Sequence, residues 1–261
     1  MKIMTYNIQM DNCHSATDSN SWFNRKSLVV SQICKYRPDV LAIQEGLYHQ
    51  VKFLEDNLKE YNWVGVGRDD GDKSGEFMAI FFLYKSLRVS ENLTFWLSTT
   101  PTTPGSRGWD AACNRIVTWA KFEIIKTKEK FMLFNTHLDH YGVVARLESA
   151  KLLVKRTRQY ESRTPCVITG DFNCIPDSIP YNIITKNGWK DAFKISNSKP
   201  KGSIETFSDF NAGHGSNFGR IDYVFVNKYF NVLSYNTLSE PLGGIYPSDH
   251  LPVFVNVTAC L

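Results

Sequence analysis

Short apolar runs recur along the whole chain, at Lys2–Tyr6, Val40–Gln44, Met78–Tyr84, Ile116–Ile125, Phe131–Asn135, Cys166–Thr169, Ile221–Val226 and Leu251–Val257. Several are almost continuous, as expected for strands buried on both faces or facing another sheet. The charged stretch Lys126–Lys130 separates two of them and predicts an antiparallel hairpin. Helical spacing fills the intervals. Leu47, Val51, Leu54 and Leu58 share one face, as do Leu28, Val29, Ile33 and Tyr36 before the stop at Arg37-Pro38. Val143, Val144, Leu147, Ala150, Leu153 and Val154 mark a longer helix with Lys and Arg on its other side. A fourth helix is expected over Ile179–Lys186, ended by Asn187-Gly188. The hairpin argues against an all-parallel sheet, and two sheets with helices outside fit the pattern better. Glycine-rich loops at Gly65–Gly75, Gly105–Gly108 and Gly213–Gly219 are read as rims of a site rather than as linkers.

Polar residues fall at the ends of the apolar runs. One run ends in Asn7, the next in Gln44-Glu45, the hairpin's return in Thr136-His137 and another in Gly170-Asp171-Phe172-Asn173. Asp222 lies in Arg220-Ile221-Asp222-Tyr223, and Asp249-His250 opens the last run. Side chains at strand ends converge on a common rim. Together these offer hard oxygen ligands suited to Mg²⁺ and the acids, bases and charges that phosphoester hydrolysis needs. A carboxylate such as Asp222 beside His250 would fix its tautomer and keep it cationic. Taken singly, each residue has a plainer reading: Asn7 as a turn residue, Glu45 as a helix cap, Asp171-Phe172-Asn173 as a turn, Asp222 as the ion-pair partner of Arg220, His137 as a core histidine.

Thr5-Tyr6-Asn7, Gln44-Glu45, Thr136-His137-Leu138, Gly170-Asp171-Phe172-Asn173, Arg220-Ile221-Asp222-Tyr223 and Ser248-Asp249-His250 resemble, in order and spacing, the endonuclease/exonuclease/phosphatase superfamily. That family includes deoxyribonucleases, abasic-site endonucleases, inositol polyphosphate phosphatases, sphingomyelinases, deadenylases and tyrosyl-DNA phosphodiesterases. The resemblance spans Met1 to Val257 and implies an α/β fold: a four-layered α/β/β/α sandwich of two mixed sheets face to face. It implies Glu45 as principal metal ligand with Asn7 and Asp249 beside it, and Mg²⁺ or Mn²⁺ as the cofactor. Asp171 would orient or deprotonate the attacking water, and Asn173 would hold the phosphate or metal shell. His250, charged by Asp222, would bind the scissile phosphate, with His137 on the other side. A bacterial branch of open substrate is closer still, through Trp63–Gly71, Gly75-Glu76-Phe77, Thr94–Ser98, Pro104–Asp110 and Asn114-Arg115. Within those segments Arg115, Arg68, Glu76, Arg107 and Trp109 are the expected substrate contacts. Gly-Asp-Phe-Asn in place of Gly-Asp-Thr-Asn argues against a tyrosyl-DNA phosphodiesterase, and no leucine-rich extension suggests a full-length deadenylase.

Length and composition narrow this reading. At 261 residues the chain suits one sandwich domain over 1–261. The net charge of +4 is too small to mark a dedicated nucleic-acid binder, so nucleic acid and small phosphorylated molecules both remain as substrates. The basic helix face around Lys151, Lys155, Arg156 and Arg158 is a candidate contact for the former, against the plainer reading of a solvated face. Six cysteines form no C-x-x-C pair, which argues against zinc; Cys34 and Cys166 are expected to be buried. His14, His140 and His214 are assigned to loops. No apolar run reaches the length of a membrane span, and the N-terminus lacks a signal-peptide pattern. A cytoplasmic monomer that hydrolyses a phosphodiester is the resulting expectation, with a catalytically silent nucleic-acid or phospholipid binding module as the alternative.

Overall fold

The computed structural model describes residues 1–12, 18–161, 163–210 and 219–260. In chain order the strands are β1 (Lys2–Asn7), β2 (Val40–Gln44), β3 (Tyr61–Val64), β4 (Ile80–Leu83), β5 (Leu87–Trp96), β6 (Ile116–Ile124), β7 (Lys130–His137), β8 (Cys166–Asp171), β9 (Lys190–Asp191), β10 (Asp222–Val226), β11 (Phe230–Thr237) and β12 (Val253–Ala259). The helices are α1 (Trp22–Tyr36), α2 (Tyr48–Asn57), α3 (Val143–Glu161), α4 (Ile179–Lys186) and the short α5 (Ala192–Ile195). Two six-stranded sheets result, in the orders β11-β12-β1-β2-β4-β3 and β5-β6-β7-β8-β10-β9. Both are mixed: β1 pairs parallel with β2 and antiparallel with β12, while β7 pairs antiparallel with β6 and parallel with β8.

The apolar runs explain the layering. Alternate residues such as Ile3, Val40 and Ile80 from the first sheet meet Phe122, Leu133 and Val224 from the second in a shared buried core. The opposite faces turn outward. Met4, Leu41 and Phe81 pack under Val29 and Ile33 of α1 and Val51 and Leu54 of α2. Phe134, Ile168 and Phe225 pack under Leu153 and Val154 of α3 and Ile184 of α4. The strands are apolar throughout because both of their faces are covered. The architecture is therefore the expected α/β/β/α sandwich. No helix among the described residues is long and apolar enough to cross a membrane.

A buried polar clasp joins the sheets close to the strand ends. Asn135 of β7 donates from Nδ2 to the carbonyl oxygens of Ile43 (2.8 Å) and Ala79 (3.2 Å), and its Oδ1 accepts from Gln44 Nε2 at 2.7 Å. Two ladders also bring site residues into one row. His137 on β7 stands opposite Asp171 on β8, and Asp171 stands opposite Asp222 on β10. Gly170, beside Asp171, has φ +143°, and a Cβ there would meet the Thr136 carbonyl oxygen at 1.9 Å, so the close approach of β7 and β8 requires glycine.

Some elements differ from the sequence reading. β3, β5, β9 and β11 were not expected. Most of β5 is exposed along the sheet edge and carries Arg88, Glu91 and Asn92, which mask its strand character. β11 contains a register shift between Val232 and Ser234 that breaks its alternation. Cys34 lies on the exposed side of α1, not in the core, because Val29 and Ile33 take the inward face; Cys166 is buried as expected. Cys13, His14, His214 and most of the Gly213–Gly219 loop lie outside the described residues.

Candidate active site

Strand ends from both sheets deliver the polar residues to one cavity of about 460 Å³, lined by Glu45, Arg68, Glu76, Arg115, His137, Asp171, Asn173, Asp249 and His250 among others. Asn7, at the end of β1, is fully buried and contacts three of the lining residues. Its Nδ2 donates to Glu45 Oε1 (2.8 Å) and Asp171 Oδ2 (3.1 Å) and lies 3.4 Å from His250 Nε2. Its Oδ1 accepts from the Gln9 amide at 3.0 Å. The amide thus turns its nitrogen, a donor, toward the carboxylates where the sequence reading expects a ligand oxygen. Glu45 follows β2 in the left-handed region, φ +65°, and is half-buried; its Oε2 accepts from the Met10 amide at 3.1 Å. That turn carries the carboxylate off the strand and over Asn7.

His250 is clamped. Its Nδ1 lies 2.9 Å from Asp222 Oδ2, with both side chains buried, and its Nε2 lies 3.7 Å from Asp171 Oδ2. Arg220 does not compete for Asp222: it forms a bidentate pair with Asp191 at 3.0 and 2.6 Å. Burial by itself would lower the His250 pKa, but the Asp222 carboxylate and its hydrogen bond outweigh it and hold the ring well above its ordinary value. Asp171 is pushed up to about 7, first by burial and then by the Asp222 charge. Its Oδ1 accepts from the Asn173 amide at 2.9 Å. Asp249 is pushed up to about 6, by burial and by Glu45; its oxygens accept from Gln9 Nε2 (3.0 Å) and Ser248 Oγ (3.1 Å).

Asn173, also left-handed at φ +46°, places Nδ2 at 2.9 Å from His137 Nε2 and donates to the Leu138 carbonyl at 3.0 Å. His137 is kept neutral: burial lowers its pKa, and the nearby Arg115 and Arg68 charges lower it further. Glu76 is pushed up to about 7 by burial and by Glu45, against the pull of Arg68 and Arg115. Arg68 Nη1 and Glu76 Oε2 are 2.6 Å apart. Arg68 Nε and Arg115 Nη1 are buried without a hydrogen-bond partner.

Glu45, Asp171 and His250 offer ligand atoms within 4.8 Å of one another. The donor chemistry tests which of them suit a cation. Where the Asp222 pairing keeps His250 protonated, its Nε2 offers no lone pair, and Glu45 and Asp171 supply carboxylate oxygens. Oxygen-only ligation fits Mg²⁺ or Mn²⁺ and disfavours zinc.

Of the residues expected from sequence, Arg107 and Trp109 are not brought to this cavity. Both are exposed on the 98–115 loop, where Trp109 lines a separate depression with Lys151, Lys155 and Arg156. Arg158 donates instead to Asn187 Oδ1 at 2.9 Å. The sequence reading missed Asp139 and His140. Asp139 is buried, accepts from the backbone amides of Gly142 (2.7 Å) and Ala112 (3.1 Å), and holds Arg115 Nε at 3.3 Å. His140, an exposed loop residue as expected, has Nδ1 at 2.9 Å from Arg115 Nη2 and also lines the cavity. Their only signal was position, two and three residues past His137 at a strand end.

Comparison with known proteins places this geometry. Over residues 4–250 the chain matches the model of the Endonuclease/Exonuclease/phosphatase family. It is similar to the solved endonuclease/exonuclease/phosphatase of Bacteroides vulgatus, with 36% identity, a TM-score of 0.93, and coverage of 99% of this chain and 98% of that one. The mannosyl-6-phosphatase of Bacteroides thetaiotaomicron is similar over 99% of both chains, with 31% identity and a TM-score of 0.92. A probable RNA exonuclease of Saccharomyces cerevisiae, NGL3, is 25% identical over 71% of this chain; the chain spans 40% of that protein's length.

Proposed function

The chain belongs to the Endonuclease/Exonuclease/phosphatase family, whose members hydrolyse phosphoester bonds, and from that premise we propose that it is a divalent-metal-dependent phosphoesterase acting by in-line attack of water. The observation that carries the reading is the meeting of Asn7, Glu45, Asp171 and the Asp222-paired His250 in one buried cluster at the floor of the cavity. Asp171 is the base: desolvated and near the middle of its titration range, it takes a proton from the attacking water. The His250 imidazolium donates from Nε2 to a phosphoryl oxygen, where charge grows during attack. Asn7 keeps Glu45 and Asp171 apart while satisfying both. Asn173 fixes His137, whose neutral ring faces the phosphoryl group from the opposite side. Glu45, with Asp171 near it, would hold Mg²⁺ or Mn²⁺, which when bound supplies Lewis-acid stabilisation of the phosphoryl charge. Asp249 supports that side through Gln9 and Ser248.

Sequence favours a phosphodiester, but one observation favours a terminal phosphoryl group. Arg68 and Arg115 both line the cavity, and a monoester carries one more non-bridging oxygen than a diester for guanidinium groups to balance. The resemblance to a mannosyl-6-phosphatase points the same way.

The purified protein is assayed on p-nitrophenyl phosphate and bis-p-nitrophenyl phosphate with Mg²⁺, Mn²⁺ or EDTA. Turnover that needs the metal and falls about 10²- to 10⁴-fold in Asp171→Asn and His250→Ala supports the reading. Absence of metal-dependent turnover on either ester, with both variants equal to wild type, overturns it. Phosphoester binding without hydrolysis, unaffected by Glu45→Gln, would identify a silent binding module instead.

A further inference from the structure

An apolar trough of about 480 Å³ opens between α3 and α4, and it shares His140, Asn173 and Ile221 with the catalytic cavity. We propose that this trough is a second subsite, which takes an apolar alkyl or aryl substituent of the phosphoester substrate. The inference rests on the hydrolase reading above.

Three observations carry it. The first is continuity. Asn173 touches His137 at one side and lines the trough at the other, so the trough adjoins the place where a phosphorus atom near His250 and His137 would sit. The second is chemistry. Beyond the shared residues the walls include Val143 and Leu147 from α3, Ile175 from the loop before α4, and Ile179 and Pro180 from its first turn, with Arg146, Cys174 and Ser178 completing them. Ile179, Val143 and Ile175 are 68%, 67% and 53% exposed, so three aliphatic side chains stand open to solvent around the trough. The third is polarity along the path. The guanidinium nitrogens of Arg68 and Arg115 sit on the catalytic side, whereas Arg146, the cation in the trough wall, is held by the Asp139 carbonyl at 2.8 Å. An anionic head and an apolar tail match that gradient. The volume is within the range of small-molecule sites.

The test is a homologous series of monoalkyl phosphates, ethyl to hexyl, all below their aggregation concentrations. In this series leaving-group chemistry is nearly constant and only apolar length changes. Burial of each added methylene should raise kcat/KM about twofold to fourfold. Ile179→Asp and the milder Ile175→Ser should flatten that slope. Both positions are exposed, so the variants should fold, which circular dichroism verifies. As a readout without turnover, hexylphosphonate should bind more tightly than methylphosphonate by titration calorimetry, and Ile179→Asp should erase the difference.

A flat chain-length profile in an enzyme that hydrolyses the ethyl ester overturns the subsite while leaving the hydrolase reading intact. If no alkyl ester is hydrolysed, the p-nitrophenyl mono- and diester assays decide the hydrolase reading separately, and the phosphonate pair decides the trough alone. Co-sedimentation with phosphatidylcholine vesicles that is lost in Ile179→Asp would make the trough a membrane contact and overturn the proposal.

Discussion

Asn135 offers the sharpest test of how the fold supports the site. It is fully buried and makes three cross-sheet hydrogen bonds, one of them to Gln44, the residue before Glu45. Asn135→Leu keeps the side-chain volume and removes all three. Gln44 Nε2 retains Thr5 Oγ1 at 3.0 Å but loses its bond at 2.7 Å, and the Ile43 carbonyl loses a donor at 2.8 Å. A typical buried bond contributes about 1 kcal/mol net, and a stranded buried donor costs about 1–3 kcal/mol, so the variant should lose about 2–4 kcal/mol. Gln44→Leu alone should cost less, about 1–2 kcal/mol, because Asn135 Nδ2 keeps its two carbonyls. The double variant should recover about 1–3 kcal/mol relative to the sum, since no donor is then stranded. Urea unfolding followed by tryptophan fluorescence measures each value through the midpoint at constant slope. A single-variant loss under about 0.5 kcal/mol, or strict additivity in the double variant, would refute the clasp.

Three further outcomes follow from the geometry. Asp222→Asn should preserve stability to about 1 kcal/mol yet lower kcat on p-nitrophenyl phosphate about 10²-fold or more, because His250 loses the partner that keeps it cationic; a change under threefold would contradict it. Gly170→Ala should destabilise by about 3 kcal/mol or prevent folding, since the new methyl meets the Thr136 carbonyl and φ is +143°; an unchanged urea midpoint would contradict that. Asp139 has its pKa lowered because, although burial opposes it, backbone amides and Arg115 favour the carboxylate. Its folded pKa lies below its unfolded value of about 3.9, so its contribution is full above about pH 5 and fades as pH falls through the folded pKa. The stability gap between wild type and Asp139→Asn, measured from pH 7 to pH 2.5, should therefore be constant at first and then close; a gap that widens on acidification would be inconsistent with the arrangement.

Much of this site was readable in the chain because strand ends announce it. An apolar run that stops at a carboxylate, amide or imidazole leaves that side chain on a rim, and Asn7, Glu45, His137, Asp171 and Asp222 all obey the rule. The Asp222–His250 pair was foreseen from residue types alone. The orientation of Asn7 was not, because an amide's two ends are distinguished only by its neighbours, here Gln9 on one side and two carboxylates on the other. Arg107 and Trp109 were placed near the substrate by loop resemblance, and loop sequence says little about which way a loop folds. Asp139 and His140 were passed over because they follow a strand end by two and three residues and bear no periodic signal. Edge strands such as β5 escaped for the opposite reason: their exposure removes the apolar alternation that marks a strand.

The candidate cluster is drawn from both sheets, with Asn7 and Glu45 on one and His137, Asp171 and Asp222 on the other, and that division makes the molecule a natural split reporter of the proposed activity. A cut at the exposed Thr102–Pro104 stretch would leave Asn7, Glu45, Arg68 and Glu76 on one fragment and every other member of the cluster on its complement. Neither piece would hold a working set. The first fragment would also carry β5, whose place is on the edge of the second sheet beside β6. Reassembly would therefore be guided by a strand reaching across, and phosphate release would report that the two halves had met.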